Sequence, residues 1–277
     1  MKRAYLTDLR LGEIELTLIP RDRQILNTLR QLRFLRTDQI RRLFFYEHHS
    51  TTRAALTATT KTLNRLMTLG LINHLDKRIG GVRTGSYGLV WFITEGGVRL
   101  LDLGKDRDQK RINNPDPAPI FLRHTLAVAE CYLQIVQICR EAKELTLKQL
   151  VTEPGCWRGY PKAGKPVSLR PDLYTEVVSG EYEDRWFIEM DLDTESVQSI
   201  TEKCSRYQEY CQTNLEQKAN GVFPLVLWIV PTEDRKQKMI DAIRQAFSSR
   251  YPNIHLVITP EELKTTMIQG AKKEDLC

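Results

Sequence analysis

The chain has 277 residues, 41% of them hydrophobic and 27% charged, with a formal net charge of +6. That length suits two domains better than one compact core, and the composition excludes a disordered or fibrous chain. No apolar run approaches a membrane span and no N-terminal secretion signal is visible, so a cytoplasmic protein with no membrane partner is expected.

The charge is divided unevenly. Residues 1–114 hold 21 Lys+Arg against 11 Asp+Glu, a balance of +10, and residues 115–277 hold 20 against 24, a balance of −4. A basic half joined to an acidic half is the pattern of a protein in which one part holds a polyanion and the other holds metal. The six cysteines include no CxxC pair. Buried free thiols are therefore expected, rather than a zinc site or a disulfide framework.

Residues 1–19 show no clear periodicity. Pro20 opens a helix in which Ile25, Leu29 and Leu32 recur at helical spacing. A second short helix starts at Thr37, a natural N-cap. A third starts at Ser50 or Thr51 and runs to about Leu69, with Leu56, Leu63, Leu66 and Met67 as its expected core stripe and Gly70 as its stop. A hairpin pattern follows: a strand over 71–75, a basic glycine-rich tip over 77–86, and a return strand over 87–93. Residues 104–118 are polar, charged and proline-containing, which is linker composition, so domains are expected over 1–103 and 119–277.

In the second half the spacing predicts a helix from Phe121 to about Lys143, a strand from Leu145 to Val151, and a loop from Pro154 to Lys165. Leu173–Val178 and Trp186–Asp193 read as a hairpin joined at Ser179–Asp184. Its second strand alternates, with Ile188, Met190 and Leu192 on one side and Glu189, Asp191 and Asp193 on the other. Stacked carboxylates repel one another at neutral pH and call for a compensating cation. Mg²⁺, which favours carboxylate oxygens and keeps waters for phosphate chemistry, is the expected one, with Mn²⁺ as its substitute. The solvated face of an edge strand is the plain alternative. A helix from Ser196 to about Cys211, an apolar strand at Phe223–Val230, a helix capped at Thr232 and a strand at Ile254–Ile258 complete the pattern.

These residues carry three resemblances. Three helices followed by a basic hairpin resemble a winged helix-turn-helix, and the phrase Leu63-Asn-Arg-Leu-Met-Thr-Leu-Gly-Leu-Ile with Thr94-Glu-Gly-Gly-Val-Arg-Leu-Leu looks like its MarR-type version. The resemblance implies double-stranded DNA as partner, with the third helix in the major groove and the wing on the backbone. Groove contacts would fall to Thr51, Arg53, Thr57, Thr60 and Lys61, and phosphate contacts to Lys77, Arg78 and Arg83. A homodimer is compatible with this fold type. The αβββαβ order of the second half, with Pro171-Asp172 on one strand and Glu189-x-Asp191 on the next, resembles the PD-(D/E)xK nuclease superfamily, also called restriction-endonuclease-like. That implies an α/β (mixed) protein in which Asp172, Glu189 and Asp191 hold the metal. The family's usual lysine would stand at position 191, where this chain has aspartate. Lys203 on the following helix would replace it, and Glu130 would supply a carboxylate from the first core helix.

The whole, from the winged helix through Phe121-Leu-Arg-His-Thr-Leu-Ala-Val-Ala-Glu130 and Leu169-Arg-Pro-Asp172 to Phe187–Ser196, Lys203 and Arg206-Tyr207, is similar to the replication-relaxation family of plasmid and mobile-element proteins. That resemblance implies metal-dependent nicking of DNA at an origin. Tyr207, one turn beyond Lys203, is a candidate for covalent attack and equally for the apolar core. The competing reading is a non-catalytic replication initiator or transcriptional regulator with a degenerate nuclease fold. The aspartate at position 191 favours it, and the aligned carboxylates oppose it.

Overall fold

A computed structural model describes residues 6–47, 51–75, 88–105, 115–247 and 252–277. They form a mixed α/β protein that divides into two compact units, Met1–Leu133 and Gln134–Cys277. The division falls inside a helix, Pro119–Glu141, and not in the expected linker at 104–118. Residues 106–114 of that stretch lie outside the described residues.

The first unit begins with α1 (Asp8–Glu15), which the sequence did not announce, and α2 (Pro20–Leu32). α2 buries Ile25, Leu26, Leu29 and Leu32 at helical spacing, each stabilising by about 1.5–3 kcal/mol relative to exposure. A short strand, β1 (Leu35–Arg36), leads into α3 (Thr37–Phe44). Thr37 is not the N-cap of α3. Arg36 is, with its N–H donating to Gln39 Oε1 at 2.9 Å, and the Thr37 hydroxyl instead accepts from Trp91 Nε1 at 2.9 Å. α4 (Thr52–Thr68) is capped by Thr51, whose hydroxyl accepts from Ala54 N–H at 3.1 Å. Its inward stripe is Ala55, Thr59, Leu63 and Leu66. Leu56, expected inside, is 43% exposed, because the true stripe runs one position earlier in that turn.

β2 (Ile72–His74) and β3 (Val90–Ile93) pair antiparallel and, with β1, make a sheet of order β1-β3-β2. α5 (Glu95–Leu101) follows, capped by Thr94. The tip between β2 and β3, including Lys77, Arg78 and Arg83, lies outside the described residues. α6 (Pro119–Glu141) contributes Leu122 and Leu126 to a cluster with Phe34, Leu75, Val90 and Phe92. Its first turns therefore complete the core of the first unit, which is why the boundary lies beyond them.

The second unit is built on a sheet of order β10-β9-β8-β7-β4. β4 (Leu145–Thr152), β7 (Leu173–Ser179) and β8 (Tyr182–Met190) run antiparallel. α7 (Val197–Gln212) and the short α8 (Leu215–Asn220) carry the chain to β9 (Leu225–Ile229), parallel to β8. α9 (Glu233–Ala246) leads to β10 (His255–Ile258), parallel to β9, and α10 (Leu263–Gln269) comes last. The interval expected as a loop between β4 and β7 holds a hairpin of its own, β5 (Arg158–Lys162) and β6 (Lys165–Leu169). Among its strand residues only Tyr160 and Leu169 are buried, so apolar alternation was too thin to reveal it.

Candidate functional site

The candidate site grows from the pairing of β7 with β8. Their register sets Leu173 opposite Ile188, and its continuation sets Asp172 opposite Glu189. Asp172 is fixed by backbone on two counts: its N–H donates to Ile188 O at 3.1 Å, and its Oδ2 accepts from Met190 N–H at 2.8 Å. On the other side of β8, Glu189 pairs in register with Trp228 of β9. The side chains that share this face, Tyr174, Phe187 and Val226, belong to the apolar cluster beneath α7.

Helix α7 brings two groups to the same place. Tyr207 donates its hydroxyl to Glu189 Oε1 at 2.6 Å, and Lys203 Nζ lies 2.7 Å from Glu189 Oε2. Lys203 also sits over the Trp228 ring, 5.6 Å from its centroid. Serine at position 196 caps the helix by accepting from Ser199 N–H, which sets the phase that presents Lys203 and Tyr207 together, four residues apart. The site is half closed: the Glu189 side chain is 1% and the Lys203 side chain 29% exposed.

Burial pushes the Glu189 carboxyl up to about 7, with Lys203 pulling it down and Asp172 adding to the rise. For Lys203, burial works against the charged form, but Glu189 and Asp172 outweigh it and hold the group above the ordinary lysine value. Tyr207 is fully buried, and burial followed by the Glu189 charge pushes its pKa well above the ordinary phenol value. A phenol so placed holds the carboxylate in position.

Two other expected members have partners elsewhere. Asp191 is engaged by Arg235 of α9, whose Nε lies 2.6 Å from its Oδ2, while the same guanidinium reaches Asp193 at 3.1 Å and donates to Glu195 O at 2.8 Å. Nothing in the letters marked Arg235, which stands on a charged helix far along the chain. Glu130 belongs to the first unit, where Arg42 lies 2.5 Å and Arg36 3.3 Å from its carboxylate and Gln39 donates to it at 3.0 Å. The structure therefore gathers Asp172, Glu189, Lys203 and Tyr207, and pairs Asp191 with Arg235 and Glu130 with Arg36 and Arg42.

Among the described residues no three His, Cys, Asp or Glu side chains come together as a metal-binding group. The remaining question is whether two carboxylates fit a divalent ion. Glu189 Oε2 is buried and is held by the Lys203 ammonium at 2.7 Å. Asp172 faces it across the strands. Two carboxylates are the kind of donor set that suits Mg²⁺ or Mn²⁺, which binds through one or two carboxylates and fills its other positions with water and phosphate.

In the first unit, α4 presents Arg53, Thr57, Thr60, Lys61 and Asn64 outward. The Thr57 and Thr60 hydroxyls donate to Arg53 O at 3.0 Å and Leu56 O at 2.9 Å, so these side chains offer methyl groups and acceptor lone pairs outward. Thr51 spends its oxygen as the helix cap.

The replication-relaxation family model matches residues 26–226. The chain belongs to the replication-relaxation family. Membership points to a role in the replication or relaxation of a plasmid or other mobile element. No curated protein and no solved structure matches the chain. No helix among the described residues is long and apolar enough to cross a membrane.

Proposed function

We propose that this replication-relaxation protein holds double-stranded DNA, at a plasmid or mobile-element origin, through its first unit and nicks DNA with its second. The observation that carries the cleavage reading is the cross-strand pair Asp172–Glu189 with Lys203 against it. Support for a PD-(D/E)xK-like fold comes from the sheet itself: three antiparallel strands, a helix, then a parallel strand beside the one that bears Glu189. Support for a winged helix comes from the order α2, β1, α3, α4, β2, β3 and the sheet order β1-β3-β2.

Asp172 and Glu189 would hold the divalent ion, which supplies charge to the scissile phosphate and acidity to a bound water. Tyr207 keeps Glu189 turned toward Asp172, and the backbone of β8 keeps Asp172 turned toward Glu189. Lys203, charged at all working pH values and partly open to solvent, would stand against the negative charge that develops on the phosphoryl group. Trp228 and the apolar cluster below exclude water from the inner side of the pair, which strengthens these interactions.

Nicking of supercoiled plasmid in Mg²⁺ or Mn²⁺ tests this reading. Wild-type protein should nick, and Asp172→Ala and Glu189→Ala should not; equal behaviour of all three removes the enzyme. DNA binding is tested apart from cleavage. Arg53→Ala/Lys61→Ala should weaken duplex binding and reduce its salt slope by about 0.9 for each phosphate that is no longer neutralised. Affinities that are unchanged across salt concentrations remove α4 as the contact helix.

A second reading, a non-catalytic initiator or regulator, draws on one observation: Asp191, where the nuclease family carries lysine, is sealed by Arg235. The nicking experiment decides between the two.

A further inference from the structure

The hairpin β5–β6 is an insertion between β4 and β7 that the cleavage reading leaves without a role. It is anchored firmly. Arg158 lies under it, 2.6 Å from Glu216 and stacked over the Tyr174 and Phe187 rings. Tyr160 is buried against Tyr210, with ring centroids 5.3 Å apart. At its base Cys156 Sγ donates to Pro171 O at 3.0 Å, which ties the start of the hairpin to the residue before Asp172.

One residue outward from each end of that tie stand Trp157 and Arg170. The Arg170 guanidinium lies 4.5 Å from the Trp157 ring centroid. Trp157 is half-buried with its Nε1 turned inward, while Arg170 is exposed. Among the described residues no carboxylate pairs with Arg170. An arginine seated over a ring has less side-chain entropy left to lose on binding, and its N–H donors suit phosphate. The surroundings agree in sign. Residues 154–170 contain Arg158, Lys162, Lys165 and Arg170 and no Asp or Glu. Lys162 and Lys165 face each other at the hairpin tip, and Arg206 of α7 is near enough to oppose the Lys162 charge. Lys162 is shared with Glu209, whereas Lys165 is exposed.

We infer that the Arg170–Trp157 stack and the β5–β6 tip form a binding face for the phosphodiester backbone of DNA that enters the Asp172–Glu189 site. Arg170 is the positioning residue, and Trp157 is the platform that holds it. The inference rests on the cleavage reading for the identity of its ligand, though not for its measurement.

Binding of the full chain to a fluorescein-labelled DNA duplex, measured by anisotropy in EDTA over a range of KCl, tests it without turnover. Arg170→Ala should weaken binding about tenfold and reduce the slope of log affinity against log salt by about 0.9. Lys165→Glu, at an exposed tip, should weaken binding without any change in melting temperature. Trp157→Ala should reproduce part of the Arg170→Ala loss, and Trp157→Phe, which keeps a ring, should not. In nicking, Arg170→Ala should raise KM and leave kcat near wild type. Unchanged affinity and slope for both Arg170→Ala and Lys165→Glu overturn the inference. That result with Asp172-dependent nicking intact removes the binding face alone, and nicking indifferent to Asp172→Ala removes the cleavage reading alone.

Discussion

At the end of β8, Asp191 is paired with Arg235 and Glu189 with Lys203. The first pair is shut: its side chains are 3% and 9% exposed, and the guanidinium is used in three directions, on Asp191, Asp193 and the Glu195 carbonyl. The second is less enclosed, with the Lys203 side chain 29% exposed and its ammonium engaged with a single carboxylate oxygen at 2.7 Å. The difference lies in the cation. A planar arginine with every edge occupied cannot make way for a ligand, while a single ammonium on a flexible stem can shift aside. Two acids two residues apart, Glu189 on β8 and Asp191 just past its end, thus come to serve chemistry, on our reading, in the first case and architecture in the second.

The contrast can be broken at several points. The largest expected effect is on nicking. Glu189→Ala or Asp172→Ala should cost about three orders of magnitude or more, whereas Asp191→Asn protein that remains folded should keep most of its rate; an equal loss would put Asp191 back in the reacting centre. Stability comes next. Asp191→Ala or Arg235→Ala leaves one partner buried and uncompensated and should cost about 3–5 kcal/mol in urea denaturation. Lys203→Met should cost only about 1 kcal/mol, because the lysine is partly solvated and Glu189 can take up a proton. Matching losses in the two pairs would erase the distinction.

Smaller effects sharpen it. Tyr207→Phe removes one hydrogen bond and should cost about 1 kcal/mol, with nicking reduced no more than about tenfold. A loss as deep as that of Glu189→Ala would mean that the tyrosine is a covalent nucleophile after all. Glu130→Ala should be mildest, at most about 1 kcal/mol given its solvent access, with nicking unchanged. A fall in rate without a fall in stability would return Glu130 to the site.

The hairpin of β7 and β8 could be read from the letters because a strand's two faces alternate, and Ile188 and Glu189 sit on opposite ones. Lys203 needed the family resemblance, since helical spacing gives a side chain a face and not a partner. The same limit explains Glu130: the periodicity of α6 put it among apolar residues, but only folding brings Arg36 and Arg42 to it. Arg235 was invisible because its partner lies 44 residues earlier and its own helix reads as an ordinary solvated one. The β5–β6 hairpin escaped notice because glycine and proline interrupt it and few of its residues are buried.

Asp172 is latched to its neighbour by main-chain atoms, Ile188 O and Met190 N–H. Any residue but proline at position 190 keeps the N–H that holds the carboxylate, so this support does not depend on which side chain stands there. The positive charge has no such guarantee and rides on a separate helix. The centre therefore has two supports: the sheet sets Asp172, and α7 supplies both the phenol that holds Glu189 and the positive charge beside it.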